Sequence, residues 1–191
     1  MTEPRKVPTW DERFMHLCWH ISQWSKDPSS QFGCVIVGPG KEIRSTGFNG
    51  FPRGVRENAV RMDHHLETGV PEEKCEAAEA IVLVRWDRPL KYQFIVHAEE
   101  NAILNAARNG VSLLGCTMYV NGHPCARCAA SIIQAGVAEV VFRNPFTDYA
   151  ERWKTDIMMA TVMFKEARVR VRELPETGLA KEEQDETSTS G

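Results

Sequence analysis

With 191 residues, 42% of them hydrophobic and 26% charged, the chain has enough apolar material for one ordinary core and too little length to require two domains. A formal net charge of -3 argues against the broad basic surface that a long nucleic acid demands, and leaves a small acidic substrate open. No run approaches a membrane span, and the opening Met1-Thr2-Glu3-Pro4-Arg5-Lys6 has no apolar core of signal-peptide length, so the chain is expected in the cytoplasm without a membrane partner. In that compartment its six cysteines read as buried thiols or metal ligands rather than disulfides.

The first element runs from about Trp10 to Ser25, where Phe14, Leu17, Cys18, Ile21 and Trp24 recur at helical spacing behind Thr9, with Glu12 completing a capping box. Ser25-Lys26-Asp27-Pro28-Ser29-Ser30 then breaks the pattern. Cys34 to Val37 reads as a strand, and Gly38-Pro39-Gly40 turns the chain into a second one near Ile43 to Phe48, antiparallel to the first. Gly47-Phe48-Asn49-Gly50-Phe51-Pro52-Arg53-Gly54 is too rich in glycine and proline to be regular, and shaped loops of this kind often line sites. Within Asp63 to Trp86, the half from Glu72 has helical spacing through Cys75, Ala78, Ala80 and Val82.

Further on, the spacing predicts a helix from about Ala98 to Arg108, a strand Thr117 to Val120, a helix Cys125 to Ala135 ended by Gly136, and a strand Glu139 to Phe142. A helix of about Ala150 to Ala167 leads to a strand at Arg168 to Val171. Helices between successive strands imply parallel neighbours in this half, and hence an α/β fold around a mixed five-stranded sheet. After Pro175 almost no apolar residue remains, so residues 175–191 are expected to form a disordered acidic and polar tail.

The chemistry is carried by two short segments. Cys125 and Cys128 stand three apart at the start of a predicted helix, so both sulfurs face one side and sit at the positive end of the helix dipole, which favours the thiolates that bind metal. His97 stands at the start of the preceding helix, so two helix N-termini converge on one cation site with one nitrogen and two sulfur ligands. Three protein ligands leave a fourth tetrahedral position for water, the pattern of a catalytic rather than a structural Zn2+. Glu99, roughly 200° around the helix from His97, is badly placed as a co-ligand and reaches the bound water instead. Zinc acidifies such a water toward a pKa of about 7, ready to attack a ring carbon bearing an amino group. Glu99 then accepts the water proton, delivers it to the ring nitrogen and helps expel ammonia.

His97-Ala98-Glu99 and Pro124-Cys125-Ala126-Arg127-Cys128 together match the H-x-E…P-C-x-x-C signature of zinc nucleobase deaminases. Joined to Ser25-Lys26-Asp27-Pro28, the Gly47 to Gly54 loop, Glu100-Asn101-Ala102-Ile103 and Ile132-Ile133-Gln134-Ala135-Gly136, the sequence resembles the deoxycytidylate (dCMP) deaminase family, most closely its bacterial and bacteriophage members, from about Trp10 to Leu174. The resemblance implies a three-layer α/β/α cytidine deaminase-like fold. It implies one deaminase domain over 1–174 with an insertion at 63–86, and hydrolysis of dCMP to dUMP and ammonia in supply of dTMP synthesis. It implies too that Asn49 hydrogen-bonds the sugar, the Ala98 amide binds the base carbonyl and Arg108 contacts the 5′-phosphate. Helix geometry is compatible with the last role: Arg108 lies within about 20° of His97 on the helix face and about 16 Å along the axis, on a side made polar by Asn101 and Asn105. The bland alternative is a solvated charge suited to the helix C-terminus. A homo-oligomer, a hexamer by resemblance, is expected, with dCTP and dTTP as effectors bound through Lys26, Asp27, Asn49, Gly50 and Arg53.

Other readings of these residues stay open. The same chemistry fits a modified dCMP, a nucleoside or an RNA base, and a non-catalytic zinc-binding module would need its fourth ligand from Cys116 or His123. His64, His65 and Cys75, in the segment that is longer than the family needs, offer a second zinc site, although scattered ligands on a polar loop are more often incidental. His16 and His20 read as a packed or solvated pair, and His123 as a packing residue.

Overall fold

The computed structural model describes residues 7–55, 86, 88–89, 91–144 and 149–175. Helix α1 (Trp10–Ser22) begins on the expected capping box, the Glu12 amide donating to the Thr9 hydroxyl at 3.3 Å while the Thr9 amide donates to the Glu12 carboxylate at 2.6 Å. It stops short of the predicted Ser25. The Trp24 and Ser25 amides close turns onto the carbonyls of Ile21 and Ser22, and the Ser25 hydroxyl reaches inward to the Asn49 carbonyl.

Strands β1 (Gly33–Val37), β2 (Ile43–Phe48), β3 (Thr117–Val120), β4 (Glu139–Phe142) and β5 (Arg170–Glu173) form one sheet in the order β2-β1-β3-β4-β5. β1 is antiparallel to both β2 and β3, while β3, β4 and β5 run parallel, which is the mixed five-stranded sheet the sequence predicts. Among the described residues, the helices after β2 are α2 (Lys91–Phe94), α3 (Ala98–Arg108), α4 (Ala126–Gln134), α5 (Tyr149–Arg152) and α6 (Lys154–Glu166).

Alternation along the strands sorts the core into two clusters. Cys34, Ile36, Met118, Val120 and Val140 face α3, α4 and α6 through Ala102, Ala129 and Phe164. Val35, Val37, Tyr119 and Val141 face Phe14, Met15, Cys18 and Ile21 of α1. The result is three layers, α/β/α, with β1 buried along its whole length. Among the described residues no helix is long and apolar enough to cross a membrane.

The seating of α3 sets the position of the site. A Cβ on Gly47 would stand 2.4 Å from both the Ala98 carbonyl and the Ala102 amide, so glycine is what lets the helix lie directly on β2. The side-chain amides of Asn101 and Asn105 donate to the Phe48 and Thr46 carbonyls at 2.7 and 2.8 Å. The polar stripe that sequence spacing associates with substrate therefore serves to dock the helix on a strand whose outer carbonyls have no strand partner among the described residues.

Two boundaries after β4 depart from prediction. The single helix expected over Ala150 to Ala167 is two, broken at Trp153, which sits at φ -107 and ψ 16. β5 starts later than Arg168, because Arg168 takes the left-handed conformation at φ 59 and the turn closes with Val169 N–H on the Phe164 carbonyl at 2.9 Å. Glycine usually fills that role, so nothing in the sequence marks it. The predicted helix of Glu72 to Trp86 falls, but for Trp86, outside the described residues, as do the His64, His65 and Cys75 candidates and the tail after Pro175.

Candidate active site and metal centre

His97 and Cys125 are the N-cap residues of α3 and α4, each in an extended conformation, and neither side chain makes an N-cap hydrogen bond. An N-cap side chain ordinarily satisfies one of the orphan amides of the first turn. Here both are released from that role and turned toward each other, with the positive ends of two helices behind them. Cys125 was expected inside the helix. It lies one residue outside, and Cys128 is the third helical residue.

The His97 Nδ1 is 3.5 Å from the Sγ of Cys125 and 3.5 Å from that of Cys128, and all three ligand atoms lie within 4.8 Å of one another. Zinc bonds of about 2.3 Å to sulfur and 2.0–2.1 Å to nitrogen at a tetrahedral angle put N and S about 3.6 Å apart. The donor set therefore fits zinc, and no fourth protein ligand joins it among the described residues. Cys116 belongs to the main core cluster. His123 packs edge-on against Phe142, and its Nδ1 lies 2.8 Å from the Pro124 carbonyl. Neither closes the site into a structural knuckle.

Within the triad the protons are shared unevenly. The Cys128 thiol, hydrogen-bonded to Cys125, together with His97, holds Cys125 down to about 4, while Cys128 keeps its proton and is pushed well up. The Cys125 contact raises His97 to about 9 in spite of burial. Glu99 is 6% exposed, and burial pushes its carboxyl up to about 7, with the neighbouring His97 pulling the other way. A carboxyl poised near neutrality is suited both to take and to return a proton.

A cleft opens on this group, lined by His97, Ala98, Glu99 and Cys125 and walled by Phe32, Tyr149 and Trp153. Paired backbone bonds between Gly50 and Val96, at 2.9 and 3.1 Å, tie the Gly47 to Gly54 loop to the residues just before His97. They bring Asn49 into the lining. Its amide is heavily committed: Oδ1 accepts from the Phe32 amide at 2.7 Å, and Nδ2 donates to the Ser30 carbonyl at 2.9 Å and to Asp27 Oδ2 at 3.2 Å. With both donors in use, the remaining valence is one acceptor lone pair on Oδ1.

Asp27 is the hub of this wall. It is 2% exposed and accepts from the amides of Ser29 and Ser30 at 2.9 and 3.1 Å and from Lys91 Nζ at 2.7 Å. The residues proposed for an effector are thus divided: Asp27 and Asn49 line the cleft that holds the triad, Lys26 is exposed, and Arg53 hydrogen-bonds Asn105. Arg108 is exposed at the last position of α3 and is not among the residues lining the cleft. Sequence reasoning missed Lys91, Phe32, Tyr149 and Trp153, which reach the site from distant segments and belong to no motif.

Comparison with known proteins agrees with this geometry. The profile of the cytidine and deoxycytidylate deaminase zinc-binding region matches residues 8–144. A deaminase encoded in the luxG 3′ region of Aliivibrio fischeri is 37% identical over 169 residues, covering 88% of this chain and 96% of that one. The deoxycytidylate deaminase of Mus musculus is 35% identical over 163 residues, covering 85% and 78%. The crystal structure of the dCMP deaminase of cyanophage S-TIM5 superposes with a TM-score of 0.60 at 24% identity, over 88% of this chain and all of that one, and so shares its fold.

Proposed function

The chain belongs to the cytidine and deoxycytidylate deaminase family, and from that premise we propose that it converts dCMP and water to dUMP and ammonia. The observation that carries the reading is the meeting of His97, Cys125 and Cys128 beside a buried carboxyl, Glu99, in one cleft. The choice of dCMP within the family is supported by the mouse relative's assigned activity and by the cyanophage enzyme, which has been crystallised with dCMP and dUMP.

His97, Cys125 and Cys128 would hold the zinc, which would supply Lewis acidity at this site. Glu99 takes the proton of the attacking water as the water oxygen bonds to C4 of the cytosine ring, and passes it to N3. It then carries the remaining hydroxyl proton to the amino group, which departs as ammonia and leaves the C4 carbonyl of uracil. The Ala98 amide, an orphan donor at the first position of α3, binds the base carbonyl. Asn49 presents its remaining lone pair to a sugar hydroxyl, its orientation fixed by Phe32, Ser30 and Asp27. Aromatic side chains of the wall exclude water from the ring.

Control by dCTP and dTTP and assembly into a homo-oligomer accompany the reading by resemblance, and turnover indifferent to added dCTP removes the regulatory part. The test of the whole is ammonia release from zinc-loaded protein offered dCMP, CMP, deoxycytidine and dCTP side by side. Preference for dCMP is the expected result. Preference for deoxycytidine moves the substrate to a nucleoside, and no ammonia from any of them despite stoichiometric zinc leaves a non-catalytic binding module.

A further inference from the structure

We infer that Arg88 is the cation that receives the 5′-phosphate of the substrate, an inference that rests on the dCMP reading above. A phosphate monoester brings close to two negative charges into a cleft that already holds Asp27 and Glu99, and it needs a cation to balance them. Among the described residues of the lining, only Lys91 and Arg88 carry a permanent positive charge.

Lys91 is already neutralised. It is 5% exposed, with its Nζ 2.7 Å from Asp27 Oδ1 and bonded to the Ser29 hydroxyl as well. Drawing it to a phosphate would strand the carboxylate of Asp27, which is 2% exposed. Arg88 differs on each count: it is exposed, it lines the same cleft, and among the described residues it makes no hydrogen bond or ion pair. Its planar fork of N–H donors matches two phosphate oxygens at once, which an ammonium cannot do.

Arg108, which the family resemblance offers for this role, is poorly placed within the protomer. It closes α3 at the end opposite His97, exposed and outside the cleft lining. The C-terminal end of a helix also carries negative partial charge, which favours the arginine itself and disfavours a dianion beside it. Among the described residues of the cleft lining, the exposed cation is Arg88.

The test compares kcat/KM for dCMP with kcat/KM for deoxycytidine on the zinc-loaded full chain, and the affinity for dUMP with that for deoxyuridine by calorimetry. Losing a charge-assisted contact should lower the dCMP-to-deoxycytidine ratio in Arg88→Ala by on the order of 10- to 100-fold, mostly through KM, and weaken dUMP by a similar factor. Arg88→Lys should recover part of the loss, and Arg108→Ala should move neither ratio. An Arg88→Ala protein with the wild-type ratio, or a collapse of the ratio in Arg108→Ala instead, overturns the assignment. Failure of the dCMP reading itself shows differently, as a wild-type protein that does not distinguish dCMP from deoxycytidine, and the inference then falls with it.

Discussion

Replacing Lys91 with methionine probes how the wall of the cleft is held. The side chain keeps its length and loses its charge, and Asp27, 2% exposed, loses a counter-ion that stood 2.7 Å away. Removing one partner of a buried ion pair costs about 3–5 kcal/mol, because the other charge is left uncompensated. Asp27 would retain the amides of Ser29 and Ser30 at 2.9 and 3.1 Å, the Ser29 hydroxyl at 3.0 Å and the Asn49 amide at 3.2 Å. Those bonds place the cost at the lower end, about 3 kcal/mol. In a domain of this size each kcal/mol moves Tm by about 2–4 °C, so calorimetry of Lys91→Met should show a drop of roughly 6–12 °C. The double variant Lys91→Met/Asp27→Asn, which removes both charges, should recover much of that loss. A single variant whose Tm stays within about 2 °C of wild type, as surface substitutions do, refutes the view that this pair is buried in energy as well as in space.

The seating of α3 predicts that Gly47→Ala, whose Cβ would stand 2.4 Å from the Ala98 carbonyl, costs about 1–3 kcal/mol in urea unfolding and impairs turnover by displacing His97; wild-type behaviour in both would contradict it. Burial draws the Glu139 carboxyl upward, but bonds from Arg172 at 2.6 Å and Arg170 at 2.8 Å outweigh it and hold the group below its usual range. A depressed folded pKa gives stability that is present above the unfolded pKa and lost as pH falls through the folded one. The Tm advantage of wild type over Glu139→Gln should therefore shrink below about pH 4; an advantage constant with pH would remove the ion pairs as its source. Cys128→Ala and His97→Ala should purify without stoichiometric zinc and Cys116→Ala with it, as metal analysis would show, and full zinc in either of the first two would dissolve the triad.

What the sequence made legible was local. Cys125 and Cys128 lie three residues apart at one helix start, and Glu99 is set two places beyond His97 at another, so each half of the metal centre is a short spacing signal even though the halves are 28 residues apart. Strands β2, β3 and β4 and helix α3 fall on their predicted bounds because alternation and helical periodicity are themselves local. The wall of the cleft was not legible for the opposite reason. Lys91 meets Asp27 across 64 residues, and neither motif nor period announces such a pair. Asn101 and Asn105 show a further limit: a polar stripe on a helix looks the same whether it faces a substrate, water or the carbonyls of a strand, and only the packing of α3 on β2 decides. Helix ends carried by Ser25, Trp153 and Arg168 likewise depend on contacts or a backbone conformation that their residue types do not signal.

The central claim is that Glu99 moves protons beside a zinc ion held by His97, Cys125 and Cys128. Glu99→Gln keeps the shape of the side chain, removes the exchangeable carboxyl proton and leaves the three ligand residues themselves in place. Measured together on the purified variant, zinc content should stay stoichiometric while kcat for dCMP falls by on the order of 10²- to 10⁴-fold. Turnover that stays within about tenfold of wild type, with the metal in place, would contradict the account.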